Sequence, residues 1–304
     1  MSNGWLGARA LVTGATGFIG AHLVRRLTGL GAVVHAVSRR VREHVDGDQT
    51  WHVADLCDAD QVSAVVRAAA PDVVFHLASE VTGAREVRLV RPTLESNLDS
   101  AVNLLTAVAD ATPAGRLVLA GSVEEPRAED GDVVACSPYA VAKWAVSGYA
   151  RMFHQLWDVP VTTLRIGMVY GPGQQDLRKL IPYVTTALLR GETPDLTSGT
   201  RLVDWIYVDD VVDAFLAAAS SAHSPGKVFD IASGTQLSIR DTVELLAKIV
   251  GATQQPRFGA VADRPLDRAQ VADIGPADEL LSWRPRTDLE TGLRRTVDWY
   301  SSTL

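Results

Sequence analysis

The sequence predicts an α/β fold in which a mostly parallel sheet carries helices on both faces. Three observations lead there. Short β-rich apolar runs alternate with longer stretches of helical period through the first half of the chain. The strand runs are almost continuously apolar, as strands buried on both faces are. A glycine-rich turn, TGATGFIG at 13–20, joins the first strand to the first helix. Right-handed crossovers between such strands give a doubly wound sheet of Rossmann type, with its ligand at the carboxyl ends of the strands.

Taken in order, Ala8–Val12 is the first strand and Phe18–Leu30 the first helix. Ala32–Val37 and Thr50–Val53 are the next strands, and Ala59–Ala70 follows as a helix. Asp72–Leu77 is a fourth strand, Val87–Ala109 a long helix and Arg116–Ala120 a fifth strand. Ser137–Trp157 is a helix opened by a Ser-Pro pair, the residue types that start helices, and Val161–Ile166 is a sixth strand. After about Gly171 the rhythm loosens. Helices at Leu177–Arg190 and Val211–Ser220, a short strand at Val228–Ile231 and an amphipathic end at Leu289–Tyr300 are separated by longer loops. The expected organisation is a cofactor domain over 1–170, to which 204–222 returns, and a smaller C-terminal α/β substrate-binding cap over 171–304.

Composition bounds the function. The chain has 304 residues, with 29 basic and 36 acidic side chains and a net charge of −7. An acidic balance argues against a general nucleic-acid or anionic-membrane binder. The 47% hydrophobic content suits a globular core rather than a disordered chain. Cys57 and Cys136 form no CxxC, and the seven histidines show no HxH or HExxH spacing, so no metal is expected. The run Ala10–Val24 is too short to span a bilayer, and a cytoplasmic protein is expected.

The turn at 13–20 carries the cofactor reading. Gly14, Gly17 and Gly20 allow a tight turn and close approach of backbone to a pyrophosphate, and the helix opening at Phe18 and Ile19 offers unpaired N–H groups to it. Thr16 lies within the same turn. The second strand ends Ser38-Arg39-Arg40, where an NAD site has an Asp or Glu for the ribose 2′-hydroxyl. Guanidinium groups suit a 2′-phosphate, so NADP (as NADPH) is expected over NAD. Asp55 and Leu56, after the third strand, are placed beside the adenine, with Asp55 as a helix cap the rival reading. Leu77 and Ala78 end the fourth strand at the same rim.

Tyr139 and Lys143 lie four apart on a helix and so share one face. An ammonium beside a phenol favours the phenolate, which turns tyrosine into a usable acid or base. Ser122, just after the fifth strand, is placed to hold a substrate oxygen.

These motifs together resemble the extended short-chain dehydrogenase/reductases that act on nucleotide sugars. The carriers are TGATGFIG at 13–20, ADL at 54–56, HLA at 76–78, Asn97, GSVEE at 121–125, SPYAVAK at 137–143, VYGPG at 169–173, DWIYVDD at 204–210 and RPLD at 264–267. The resemblance implies that Ser122, Tyr139 and Lys143 are the catalytic triad and that Lys143 also holds the nicotinamide ribose. It implies a nucleotide-diphosphate sugar as substrate, contacted by Ser122, Val123, Glu124, Met168, Arg201 and Arg264. It also implies a homodimer that pairs the Val87–Ala109 and Ser137–Trp157 helices as a four-helix seam.

The family contains epimerases, dehydratases, decarboxylases and ketoreductases. Dehydratases resemble one another in a Thr-Asp-Glu or Thr-Ser-Glu run; here it is Ser122-Val123-Glu124, and Val123 has no proton to give a leaving hydroxyl. Glu124 is retained as a candidate acid or base. With the arginines at 39 and 40, this favours NADPH-dependent reduction of an NDP-4-keto-6-deoxyhexose. An NAD-retaining 4-epimerase, a 4,6-dehydratase or decarboxylase, and a non-catalytic NADP sensor are the alternatives.

Overall fold

The computed structural model describes residues 4–41, 49–111, 115–127, 134–263 and 271–304. The chain builds two units, one from Met1–Ile166, Val212–Asp230 and Gly275–Trp283, the other from Gly167–Val211, Ile231–Ile274 and Arg284–Leu304.

The first unit opens with β1 (Arg9–Thr13), α1 (Phe18–Gly29), β2 (Val33–Ser38), β3 (Thr50–Val53), α2 (Ala59–Ala69) and β4 (Val73–His76). Asp58 caps α2, its Oδ1 accepting from the N–H groups of Asp60 and Gln61 at 3.0 and 3.1 Å. A helical stretch follows as α3 (Val90–Leu94) and α4 (Ser100–Ala111), then β5 (Arg116–Ser122), α5 (Pro138–Trp157) and β6 (Val161–Ile166). Ser137 caps α5 by accepting from Ala140 N–H at 3.1 Å, with Pro138 in the first helical position, where its missing donor costs nothing.

These strands lie in the order β6-β5-β4-β1-β2-β3. Ala10 is in register with both Val34 and Val73, so β1 has β2 on one side and β4 on the other. The chain therefore winds outward in two directions from β1, and the reversal leaves a crevice at the carboxyl ends of β1 and β4. Leu11, Val74, Leu117 and Leu119 pack there against Val62, Val66, Leu104, Leu105 and Phe153 of the covering helices, and all are buried. At roughly 1.5–3 kcal/mol per buried large aliphatic side chain, this layer supplies much of what holds the sheet to its helices.

The expected single helix over Val87–Ala109 is not one regular helix. A 3-10 turn at Val87–Leu89 leads into α3, and a π turn at Glu95–Asp99 separates α3 from α4. The π turn takes one extra residue into the helix, a register change that apolar spacing does not register. Asn97 lies in that turn, is buried, accepts from Glu80 N–H at 2.7 Å and donates to Glu80 C=O at 3.1 Å.

The second unit begins with β7 (Met168–Tyr170), α6 (Leu180–Leu189), β8 (Asp195–Leu196) and β9 (Leu202–Tyr207). Helix α6 starts three residues later than the sequence suggests, because Asp176 holds the Arg178 backbone and side chain in a preceding turn. Helix α7 (Val208–Ser220) carries the chain back to the first unit, where β10 (Val228–Ile231) takes the edge beside β6 as the seventh strand. Then come β11 (Gln236–Ser238), α8 (Ile239–Val250) and β12 (Arg257–Phe258) of the second unit, α9 (Gly275–Leu281) of the first, and α10 (Leu289–Thr303) of the second. Strand β9 pairs antiparallel with β11 and parallel with β7, and β8 pairs with β12.

Tyr170, Trp205 and Tyr207 meet edge to face in the second unit's core, beside Val184, Leu188, Val243, Leu246 and Leu293. Trp205 is buried, and its indole N–H donates to Thr242 Oγ1 at 3.1 Å. Asp204 accepts from Ser233 N–H, Ser233 Oγ and Gly234 N–H at 2.8, 2.6 and 3.1 Å, which pins the loop before β11. Among the described residues no helix is long and apolar enough to cross a membrane.

Candidate active site

The glycine turn is built as a cradle. Gly14 has φ +67°, a conformation that side chains other than glycine's resist, and a Cβ there would lie 2.6 Å from Ala78 N and 2.7 Å from Leu77 C. A Cβ on Gly20 would lie 2.1 Å from Gly14 O. The turn at 14–20 and the Leu77–Ala78 strand end are thus in direct contact, a side chain at Gly14 would push them apart, and one at Gly20 would force the turn itself open. Gly17 precedes α1 and provides no side-chain cap, so the first N–H groups of the helix keep no side-chain acceptor from their cap position. A cradle free of Cβ atoms at a helix N-terminus fits the pyrophosphate of a dinucleotide. Phe18 and Ile19 open α1, and Thr16 is half-buried within the turn.

Ser38 ends β2 and its hydroxyl donates to the Arg40 carbonyl, while Arg39 and Arg40 are exposed. The neighbouring end of β3 is tied to this strand, Ala54 N–H donating to Ser38 C=O at 3.1 Å. Asp55 is therefore close to the end of β2. It does not cap a helix, since Asp58 does; its Oδ1 accepts from Cys57 N–H at 3.0 Å and it remains exposed. Leu56 is half-buried beside it.

Ser122 is the last residue of β5 and is buried. Its hydroxyl accepts from Glu124 N–H at 3.2 Å and is also hydrogen-bonded to the Tyr139 phenol. Lys143 lies one turn after Tyr139 on α5, with its ammonium 5.8 Å from the centre of the Tyr139 ring. It is 3% exposed and donates to Ala120 C=O at 2.7 Å. Burial pulls the Lys143 ammonium down to about 8, against the pull of Glu125 in the other direction. The structure thus brings Ser122, Tyr139 and Lys143 together where β5 meets α5.

The electrostatics of the phenol differ from the sequence expectation. Burial pushes Tyr139 well above its ordinary value, and the Glu124 carboxylate pushes it further in the same direction. An ammonium beside a phenol favours the phenolate, but at Tyr139 burial and the Glu124 carboxylate act the other way, opposed by the hydrogen bond with Ser122. Tyr139 is held as a protonated donor. Glu124 is half-buried in the turn after β5, with Cys136 Sγ 3.9 Å from its Oε2. Val123, half-buried, donates its backbone N–H to Ile166 C=O at 3.2 Å.

His76 closes β4 beneath this site. Thr13 Oγ1 lies 2.8 Å from its Nδ1, and the same hydroxyl accepts from Ala78 N–H at 3.3 Å. Burial, with Lys143 adding to it, pushes His76 down to about 3, so the ring is neutral.

Comparison with known proteins follows from this geometry. The profile of the NAD dependent epimerase/dehydratase family matches residues 10–232. The chain belongs to this family. A UDP-glucose 4-epimerase of Mycolicibacterium smegmatis is 32% identical over 96% of this chain and 98% of its own length. A dTDP-glucose 4,6-dehydratase of an Actinoplanes species is 30% identical over 96% and 97% respectively. The solved structure of MoeE5 in complex with UDP-glucuronic acid and NAD superposes with a TM-score of 0.86 at 31% identity, covering 98% of this chain and all of that one. As an extended short-chain dehydrogenase/reductase, the epimerase/dehydratase-family chain has the Rossmann-type sheet that its sequence predicts.

Of the remaining candidates, Met168 and Arg201 belong to the second unit. Met168 pairs with Trp205 in the β7–β9 register and packs partly against that unit's core, and Arg201 accepts Ile239 N–H at its carbonyl at 3.0 Å. Arg264 lies outside the described residues. Asp210, which resembles half of a carboxylate pair, is buried and accepts from Arg286 and Thr287 N–H at 3.1 and 3.0 Å, so its role is to hold the segment before α10. Sequence reasoning missed Glu125, which looks like a solvated neighbour of Glu124 but is 2% exposed.

Proposed function

We propose that the protein is an NADPH-dependent reductase of the 4-keto group of an NDP-4-keto-6-deoxyhexose, with Tyr139 as proton donor. The observation that carries this is the end of β2, where the strand runs into Ser38-Arg39-Arg40 with both guanidinium groups exposed instead of ending in the acid that selects a ribose 2′-hydroxyl. Two others support it. Val123 has no proton for a departing hydroxyl, which disfavours elimination, and Tyr139 is held protonated, the state in which a phenol gives a proton to a ketone oxygen as it becomes an alkoxide.

NADPH, when bound, supplies the hydride to the keto carbon. The cradle at 14–20 is assigned to its pyrophosphate, Ser38, Arg39 and Arg40 to its 2′-phosphate, and Asp55 and Leu56 to its adenine. Ser122 holds the sugar oxygen, Tyr139 protonates it, and Lys143 places a positive charge beside the phenol. Arg201 and Arg264 are assigned to the diphosphate. The exposed Val141 and Trp144 on α5 and Val87, Val90 and Leu94 in the preceding helical stretch support a homodimer through a four-helix seam.

A second reading has a specific basis. The 32% identical relative is named a UDP-glucose 4-epimerase and MoeE5 was solved with NAD, so an NAD-retaining 4-epimerase is the rival. Mass identification of the co-purified nucleotide, followed by incubation with a TDP-4-keto-6-deoxyhexose and NADPH or NADH at 340 nm, separates the two. Stoichiometric oxidation of NADPH supports the reductase. Bound NAD with interconversion of UDP-glucose and UDP-galactose, and no net cofactor use, replaces it with the epimerase. Tyr139→Phe is expected to lower either rate by about 10²–10⁴-fold.

A further inference from the structure

Glu125 sits in a turn whose backbone closes on Ser122, its N–H donating to Ser122 C=O at 3.1 Å. Its carboxylate is buried against the strand end. Oε1 accepts from Ser122 N–H at 2.7 Å, and Oε2 accepts from the Ser147 hydroxyl at 2.6 Å. Burial pushes the Glu125 carboxyl above its ordinary value, while these two hydrogen bonds and the charges of Arg165 and Lys143 act in the other direction and favour the carboxylate. A Cβ at residue 121 would lie 2.6 Å from Oε1, so Gly121 is what leaves the carboxylate room. Ser147 follows Lys143 by one helical turn on the same face of α5.

The charges around it divide by partner. Arg165 of β6 and Lys143 of α5 both face Glu125. Arg165 is already bonded to Asp230 of β10 at 2.8 Å, and Asp230 also holds Arg127 at 2.6 Å. Around Lys143 stand the neutral ring of His76, the protonated phenol of Tyr139 and the carboxylate of Glu125. A buried ammonium with no opposing charge gives up its proton rather than remain ionised.

We propose that Glu125 is a positioning residue that anchors Ser122 through its backbone N–H and keeps Lys143 in its charged form. This rests on the reading of Ser122, Tyr139 and Lys143 as the catalytic triad. Glu125 touches no reacting atom; it acts through the two residues that do.

The chain has only four lysines, Lys143, Lys179, Lys227 and Lys248, so each can be followed by NMR in protein carrying ¹³Cε-lysine. Loss of one resonance in Lys143→Arg assigns it. Glu125→Gln keeps an oxygen to accept from Ser122 N–H and removes the charge, with its amide NH2 donating to Ser147 Oγ in place of the present acceptor. In Glu125→Gln the Lys143 midpoint is expected to fall by about one pH unit or more while the other three stay in place. The high-pH limb of kcat moves down by the same amount, with KM for the sugar nucleotide little changed. Should Glu125→Gln fail to fold, Ser147→Ala weakens the carboxylate's hold on its proton-free form and shifts Lys143 the same way by less. An unmoved or raised Lys143 midpoint overturns the proposal, as does an unmoved kcat profile in a variant whose lysine has shifted. A lowered midpoint in a protein that turns over no sugar nucleotide counts against the proposed reaction and leaves the Glu125–Lys143 pairing standing.

Discussion

Replacing Lys143 by methionine is expected to remove activity and, below pH 8, to make the protein more stable. An ammonium moved from its ordinary 10.5 to about 8 in the folded state is one that folding disfavours in its charged form. At 1.36 kcal/mol per unit, that shift corresponds to about 3 kcal/mol against the native state. Because the folded midpoint is the lower one, the cost is complete below about pH 8. It is relieved as pH rises from there towards 10.5, the interval in which the unfolded chain binds the extra proton. Methionine has similar length and no charge to bury. It forfeits the bond to Ala120 C=O, worth roughly 1–2 kcal/mol once the orphaned carbonyl is counted. The net gain at pH 7 is then about 1–2 kcal/mol. More telling is the pH dependence, since the advantage of the variant over the parent should shrink by about 2 kcal/mol between pH 7 and 9.5. Urea unfolding of both proteins at the two pH values measures it. A stability difference that does not change with pH would refute the reasoning, because Lys143 is the group whose titration between pH 8 and 10.5 the substitution removes.

Gly20→Ala is expected to lose dinucleotide binding by more than about tenfold in a calorimetric titration, since the new methyl would meet Gly14 O at 2.1 Å and force the cradle open. Arg39→Ala should weaken NADPH binding by about tenfold and leave NADH within a factor of two, if the guanidinium reads a phosphate; equal losses for both would remove the basis for NADPH. Asp204→Ala strips the acceptor from the backbone N–H groups of Ser233, Gly234 and Ala272 and from the Ser233 hydroxyl and should cost about 2–4 kcal/mol in chemical denaturation.

The sheet was legible because its signals are local. Val161–Ile166 and Val228–Ile231 appear with the boundaries their largely apolar runs suggest, as buried parallel strands do, and the half-exposed edge strand Thr50–Val53 keeps its boundaries too. The cradle was legible too, because a glycine requirement shows in the residue type. Failures arose where the deciding partner is distant or the geometry irregular. Nothing near Glu125 distinguishes it from Glu124; what buries it is Ser147, 22 residues on. Apolar spacing across 87–109 runs straight through the π turn at Asn97. Asp55 as a helix cap, the rival reading, fails because the cap of α2 is Asp58, directly before Ala59. The phenol's behaviour depends on how much water surrounds it, a property of the folded environment that the Tyr-xxx-Lys spacing does not encode.

Each unit is assembled from three separate segments of chain, and this sets a timetable for synthesis. The N-terminal segment of the first unit leaves the ribosome with β6 at the margin of its sheet, its outer row of N–H and C=O groups unmatched. The strand that covers that margin, β10, is made more than sixty residues later, after most of the first stretch of the second unit has already emerged. At about 5–20 residues per second the nascent sheet stays open for several seconds on each ribosome. Truncation after Ile166 would make that open edge permanent, so a shortened chain that ends there should aggregate rather than survive as a free cofactor-binding module.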